Sequence, residues 1–216
     1  MMITLDGSTT IHLPDWNEQY HSKNGAIQEA YHVFIKAGLN NCIPKKLAIL
    51  EIGFGTGLNA FITYLETEKG NKNIDYVAVE AYPVLDNEIK KLNYISELQA
   101  TSKQAIFTEM HTVSWDEKHP LSSCFSLTKR KQFFQEIRDV DQFDLIYFDA
   151  FGATNQPELW TEEIFSSMFR ALKLNGVLVT YSAKGSVRRA MQTVGFLVER
   201  LPGPPGKREM LRATKK

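Results

Sequence analysis

Three acids and a glycine loop carry the chemistry in this chain of 216 residues. Glu51-Ile52-Gly53-Phe54-Gly55-Thr56-Gly57 is an acid followed by glycines at alternate positions. Glycines at such spacing let the backbone turn sharply and approach a ligand closely. Glu80 ends the apolar run Ile74–Val79, where a carboxylate can accept from both hydroxyls of a ribose. Asp149 ends the run Phe143–Phe148, and a carboxylate there can orient an amine and take up its proton.

Two cofactors compete for the loop. Gly55-x-Gly57-x-x-Ala60 fits the dinucleotide fingerprint. Glu51-x-Gly53-x-Gly55-x-Gly57 is the form typical of S-adenosylmethionine (AdoMet) sites, and Glu51 and Gly53 favour that reading. A carboxylate at the strand end can pair with the cationic amino-acid end of AdoMet, whereas a pyrophosphate gains nothing from it. Glu80 serves either cofactor. Methyl transfer to an alkyl amine, whose ordinary pKa is about 10, needs the amine neutral. Asp149 is the candidate catalytic group for that proton, the alternative being a cap on the turn that holds Thr154 or Asn155. Trp160 either lines an acceptor pocket, stacking on a flat substrate, or belongs to the core, and Phe151 is a second candidate for that stacking.

These residues need a scaffold that gathers strand ends at one edge. The runs 47–52, 74–80, 143–148 and 176–181 alternate with helical patterns near 58–65, 157–172 and 186–194. Pro83 is placed to start a helix. A helix around 98–110 and a strand around 124–127 fill the less patterned middle. Two last strands, 196–200 and 209–213, leave no room for a helix between them and should pair antiparallel at one edge of the sheet. Strand–helix alternation implies βαβ units and a mainly parallel sheet covered on both faces. Ahead of this core, residues 1–46 read as an N-terminal extension, with a hairpin at Asp6-Gly7 and a helix over 26–38; residues 47–216 read as the main domain.

No apolar run approaches the roughly 18 residues of a membrane helix, and the first residues have no basic, apolar leader pattern. Cys42 and Cys124 stand alone, without a CxxC or a His/Cys cluster, which predicts no structural metal and fits a reducing cytoplasm. The formal charge is zero but uneven. Residues 165–216 carry 11 Lys/Arg against 2 Asp/Glu, and the first 164 carry 14 against 23. The basic quarter reads either as a solvated face or as a docking surface for a polyanion, with Arg188, Arg189, Lys207 and Arg208 flanking the strand-end crevice.

Leu50–Asn59 resembles the opening motif of the tRNA 5-methylaminomethyl-2-thiouridine-forming methyltransferases, the family of the MnmC N-terminal domain and stand-alone MnmD. Tyr20-His21-Ser22, Asn24-Gly25-Ala26 and Glu29–Phe34 resemble its early segment. Asp149-Ala150-Phe151 with Asn155 and Pro157–Thr161, Tyr181-Ser182-Ala183 with Val187-Arg188-Arg189, and Gly206–Met210 resemble the later ones. The resemblance implies a Rossmann-like α/β fold of class I AdoMet-dependent methyltransferases, a mainly parallel seven-stranded sheet with an antiparallel C-terminal strand. It implies AdoMet held by Glu51, Gly53, Gly55, Gly57, Asn59 and Glu80, with Asp149 catalytic. Phe151, Trp160, Arg188, Arg189, Lys207 and Arg208 would bind the substrate. That substrate would be the primary amine of a 5-aminomethyl-(2-thio)uridine at the wobble position of a tRNA anticodon. Lys129-Arg130-Lys131 stands where the family often has an acid for the adenine amino group, so the adenine contact is unassigned. The chain ends at residue 216, which predicts methylation of an amine delivered by another route. The rival readings are a methyltransferase for a small-molecule or protein amine, and a non-catalytic nucleotide-binding module.

Overall fold

Residues 1–14, 17–70 and 72–216 are described by the computed structural model. The apolar runs form strands because the period of two sends alternate residues into two separate cores. In β5 (Lys46–Ile52), Leu47 and Ile49 join one core while Leu50 and Ile52 join the other. β6 (Asn73–Val79) divides likewise, with Ile74, Tyr76 and Ala78 on the first side and Val77 and Val79 on the second. β9 (Phe143–Phe148) puts Leu145 and Tyr147 on the first and Ile146 and Phe148 on the second. Burial on both faces is what a parallel sheet between helices requires.

The remaining strands are β7 (Lys118–Ser122), β8 (Phe125–Arg130), β10 (Leu172–Thr180), β11 (Leu197–Pro202) and β12 (Glu209–Thr214). The central sheet has eight strands in the order β11-β12-β10-β9-β5-β6-β8-β7. From β10 through β8 the neighbours are parallel, and β12 runs antiparallel to both β10 and β11. The expected seven strands are therefore corrected to eight. The extra one, β7, pairs antiparallel with β8 at the sheet edge and contains Pro120, which a ladder tolerates only at an edge.

Helices α2 (Leu58–Lys69), α5 (Gln104–Thr112), α6 (Glu162–Ala171) and α7 (Gly185–Thr193) cover the sheet. The helix expected over 157–172 divides in two: a 3-10 turn over Pro157–Trp160 comes first, then Thr161 accepts from the Ile164 amide and starts α6. The helix placed at Pro83 begins instead at Asp86, as the short α3 (Asp86–Ile89), and is followed by α4 (Tyr94–Glu97). Ahead of the sheet, β1 (Met2–Ile3) and β2 (Thr9–Thr10) form the hairpin expected at Asp6-Gly7. β3 (His12–Leu13) and β4 (Glu18–Gln19) form a second pair. α1 (Ala26–Ala30) then continues as a π-turn over Tyr31–Lys36. No helix among the described residues is long and apolar enough to cross a membrane.

Candidate active site

Because β5, β6, β9 and β10 are parallel, their C-terminal ends meet at one edge. There Gly53, Glu80, Asp149 and Tyr181 line one cleft of about 1000 Å³. Gly53 has φ +92°, and a Cβ on it would lie 2.9 Å from the carbonyl oxygen of Asp149. The loop thus closes against the end of β9 only because residue 53 has no side chain.

Glu80 sits just past β6. Its two oxygens accept from the amides of Gly55 at 3.0 Å and Tyr82 at 2.9 Å, which fixes the carboxylate across the glycine loop. Burial raises its pKa, and those backbone donors oppose the rise. Burial likewise pushes the Asp149 carboxyl up to about 7, while Asn59 from α2, donating to its Oδ2 at 2.8 Å, favours the charged form. Of the turn residues that Asp149 could hold, Asn155 donates to Glu18 instead and Thr154 accepts from Lys184.

Glu51 lies behind the loop. It is fully buried and shares the α2 side of the sheet with Tyr76, which together with Asn59 faces its carboxyl. Burial and then the nearby Asp149 charge hold its carboxyl well above the usual carboxylate range.

The N-terminal segment roofs the cleft. Tyr20 packs edge-on against Phe151 with ring centroids 5.0 Å apart, and both line the cavity. His21 is anchored beneath it, its Nε2 2.7 Å from Thr56 Oγ1, and burial lowers its pKa to about 4. Glu29 of α1 forms an ion pair with Lys207, whose Nζ lies 4.1 Å over the ring of Tyr181. Tyr181 in turn donates to the Ala150 carbonyl at 2.8 Å. The described cleft lining contains five carboxylates (Glu18, Glu29, Glu80, Asp149 and Glu158) and two lysines, Lys23 and Lys207. An acid-rich cleft of this kind suits a cationic ligand.

A family model for S-adenosyl-L-methionine-dependent methyltransferases matches residues 95–216, more than half of the chain. The chain belongs to this family. Among its relatives is the tRNA 5-methylaminomethyl-2-thiouridine biosynthesis bifunctional protein MnmC of Leptospira borgpetersenii, 28% identical over 214 residues. That alignment covers 91% of this chain and 32% of the relative. MnmC of Hydrogenovibrio crunogenus is 26% identical, with 90% and 31% covered. The chain therefore spans about a third of the length of these relatives. The crystal structure of MnmC2 from Aquifex aeolicus superposes with a TM-score of 0.76 at 24% identity, covering all of this chain and 69% of that one. Spermidine synthase from Thermotoga maritima superposes at 0.55 with 14% identity, covering 97% and 68%. Both structural likenesses concern the fold.

The cofactor of this methyltransferase is AdoMet, and the cleft fits it. The loop at Gly53 leaves space that a Cβ would fill, and Glu80 is held with its oxygens at the cavity wall. Gly55 and Asn59 line the cleft beside them, while Gly57 starts α2 at φ +72°. Glu51, expected to contact the cofactor, lies buried beside Asn59 and Tyr76 and is not among the side chains that line the cleft. The adenine contact left unassigned gains candidates that the sequence reading did not name: Tyr82, Phe133 and Gln135 line the cleft past β6 and β8. Lys129 and Arg130 are turned elsewhere. The Lys129 ammonium donates to the His111 carbonyl at 2.8 Å and lies 4.7 Å over the Trp115 ring, and Arg130 pairs with Asp139 at 2.7 Å.

Of the expected substrate residues, Phe151 lines the cleft and Trp160 does not. Trp160 is 5% exposed, packs on Phe148, Phe165 and Tyr181, and donates from Nε1 to the Phe151 carbonyl at 2.8 Å. It supports Phe151 from the core. Lys207 points into the cleft rather than out at a phosphate. Arg188 and Arg189 lie on the first turns of α7 outside the cleft lining, and Arg208 is exposed beyond it. The basic quarter is also less basic in space than in sequence. Lys173, Arg200, Lys207, Arg212 and Lys215 are each engaged by a carboxylate.

Proposed function

We propose that this methyltransferase transfers the methyl group of AdoMet to the primary amine of a 5-aminomethyl-(2-thio)uridine at the wobble position of a cytoplasmic tRNA. The observation that carries this reading is Asp149: a carboxyl poised near neutrality, on the wall of an acid-rich cleft, within reach of the residues suited to AdoMet. The names of the MnmC relatives, aligned over nine-tenths of the chain, support the substrate.

Glu80 would hold the ribose, and the loop from Gly53 to Gly57 would follow the rest of the cofactor. Bound there, AdoMet supplies an electrophilic methyl group, which an amine takes up by in-line displacement. The acceptor enters as an ammonium, attracted by the cleft carboxylates. Asp149 accepts one of its protons and turns it into a neutral nucleophile. A carboxyl with a pKa of about 7 is better matched to that proton than an ordinary carboxylate, because the gap to an alkylammonium is smaller. Phe151 and Tyr20 offer aromatic surface to a base splayed out of the anticodon loop. Residues 1–46 act in this scheme as the roof of the acceptor side. Arg188, Arg189 and Arg208, with Lys184 at the start of α7, would meet phosphates at the rim.

The test is nucleoside mass spectrometry of tRNA bearing 5-aminomethyl-(2-thio)uridine after incubation with the protein and AdoMet. A gain of one methyl on that nucleoside is expected. Methylation of small amines with none on tRNA would overturn the substrate assignment.

A further inference from the structure

Lys207 is the one assigned phosphate contact whose ammonium the structure turns inward. The turn that brings it there is specific: Gly206 has φ +81°, and a Cβ on it would run into the side-chain amide of Asn24. The Lys207 ammonium then rests between a carboxylate, Glu29, and an aromatic face, the ring of Tyr181. Both partners are fixed independently of the lysine. The other oxygen of Glu29 accepts from the Ser22 amide at 3.3 Å, and Tyr181 is tied to the Ala150 carbonyl, next to Asp149.

A carboxylate and a ring face together are the contacts that any primary alkylammonium seeks. A lysine head group and the ammonium of an aminomethyl substituent are the same chemical class. Glu29, Tyr181 and Asp149 all line one cleft, and the charges of Glu29 and Lys207 both act on Asp149. We propose that Glu29 and the Tyr181 ring form the acceptor-ammonium subsite, and that the Lys207 ammonium fills it until the substrate's ammonium displaces it. This rests on the reading of the substrate as a primary amine.

The exchange replaces one cation by another, so Glu29 is never left buried without a partner. Lys207 can leave, because its side chain is 32% exposed and its stem is flexible. A tethered group competes at an effective concentration on the order of mM or more, which screens the subsite from free amines at low concentration. A polynucleotide held at several other points overcomes that competition.

The test is calorimetric titration of the full chain with propylammonium, using propanol as the uncharged control. Lys207→Ala should bind propylammonium at least tenfold more tightly than the parent, and the free 5-aminomethyluridine nucleoside likewise. Adding Glu29→Gln to Lys207→Ala should return the affinity to the parent's, and propanol should show no gain. Lys207→Met, which keeps the aliphatic stem, replaces Lys207→Ala if the latter does not fold. A folded Lys207 variant with lower thermal stability and no gain for either amine would make Lys207 a clamp between α1 and the last turn, and would overturn the proposal. Calorimetry needs neither tRNA nor methyl transfer. Amine binding without tRNA methylation would keep the subsite and sink the tRNA substrate, and methylation of tRNA without the gain in amine binding would do the reverse.

Discussion

The side-chain amide of Asn59, one position into the first turn of α2, donates to Asp149 Oδ2 at 2.8 Å at the end of β9. The helix that follows the glycine loop thus opposes the effect of burial on the acid at the neighbouring strand. Burial pushes the Asp149 carboxyl up and Asn59 pulls it back.

Methyl transfer should therefore rise with pH through about 7, as Asp149 becomes a carboxylate able to accept a proton. Asp149→Ala should slow transfer by roughly 10²–10⁴ while AdoMet binding stays within a few-fold. Asn59→Leu removes the donor that favours the charged form, so the acidic limb should move to higher pH, by roughly half a unit or more. Single-turnover rates against pH check both. An Asp149→Ala protein with near-parental turnover would leave Asp149 without a part in the chemistry.

The same carboxyl predicts how stability depends on pH. Its folded-state pKa lies above the unfolded value of 3.8, so the folded protein binds the extra proton between about pH 4 and 7. Stability is then full below the unfolded value and falls as pH rises through about 7. Asp149→Asn removes this loss. It should raise the melting temperature at pH 8, corresponding to roughly 1–4 kcal/mol, and change it little at pH 4. Thermal melts at the two pH values measure it, and an equal effect at both would point to packing instead of ionisation.

Glu80→Ala should weaken AdoMet by roughly ten- to a hundredfold, since losing hydrogen bonding to a charged acceptor costs about 1.5–3 kcal/mol. The loss also frees the Gly55 amide, so part of it reflects a loosened loop. Calorimetry on the folded variant decides it, and an unchanged affinity would remove Glu80 from the ribose.

What was legible in the sequence were the buried strands and the groups at their ends. β5, β6 and β9 read as apolar runs because both faces are covered, and each run stops where the chain turns toward the cleft. β7 was not legible, since an edge strand of five residues with Pro120 inside it carries neither alternation nor an apolar run. The roof was not legible either. Glu29 and Lys207 are 178 positions apart and meet only once α1 and the last turn are folded on the same edge. Glu51 and Trp160 were seen as chemical groups, but residue type does not tell whether a side chain faces the cleft or the core behind it. The pairing within the basic quarter was hidden for a related reason: a charge count does not show which cations the fold pairs internally.

Other cations of this quarter stay at the rim. Among the four cations named at the outset, Lys207 is held by Glu29, while Arg188, Arg189 and Arg208 have no carboxylate partner among the described ion pairs. Arg188 is half-buried with its Nε buried and without a hydrogen bond, and Lys184 at the start of α7 reaches Thr154 in the loop after β9. That loop carries Phe151 on the cleft, so α7 starts at the rim. Phosphate contacts there would fix the position of an anticodon loop without reading its sequence. Replacing Arg188, Arg189 or Arg208 by Ala should raise KM for tRNA and leave AdoMet affinity unchanged. Each lost contact to a single-stranded region should reduce the log–log salt slope of tRNA binding by roughly 0.7. Lys207→Ala should leave that slope at the parental value, because its ammonium, held by Glu29 and Tyr181 in the free protein, exchanges with the acceptor's ammonium inside the cleft and not with a phosphate. Binding measured against salt for the four single variants separates the two groups. If the three arginine variants keep the parental slope, tRNA does not dock on α7 and the last turn, and the N-terminal roof becomes the surface to mutate next.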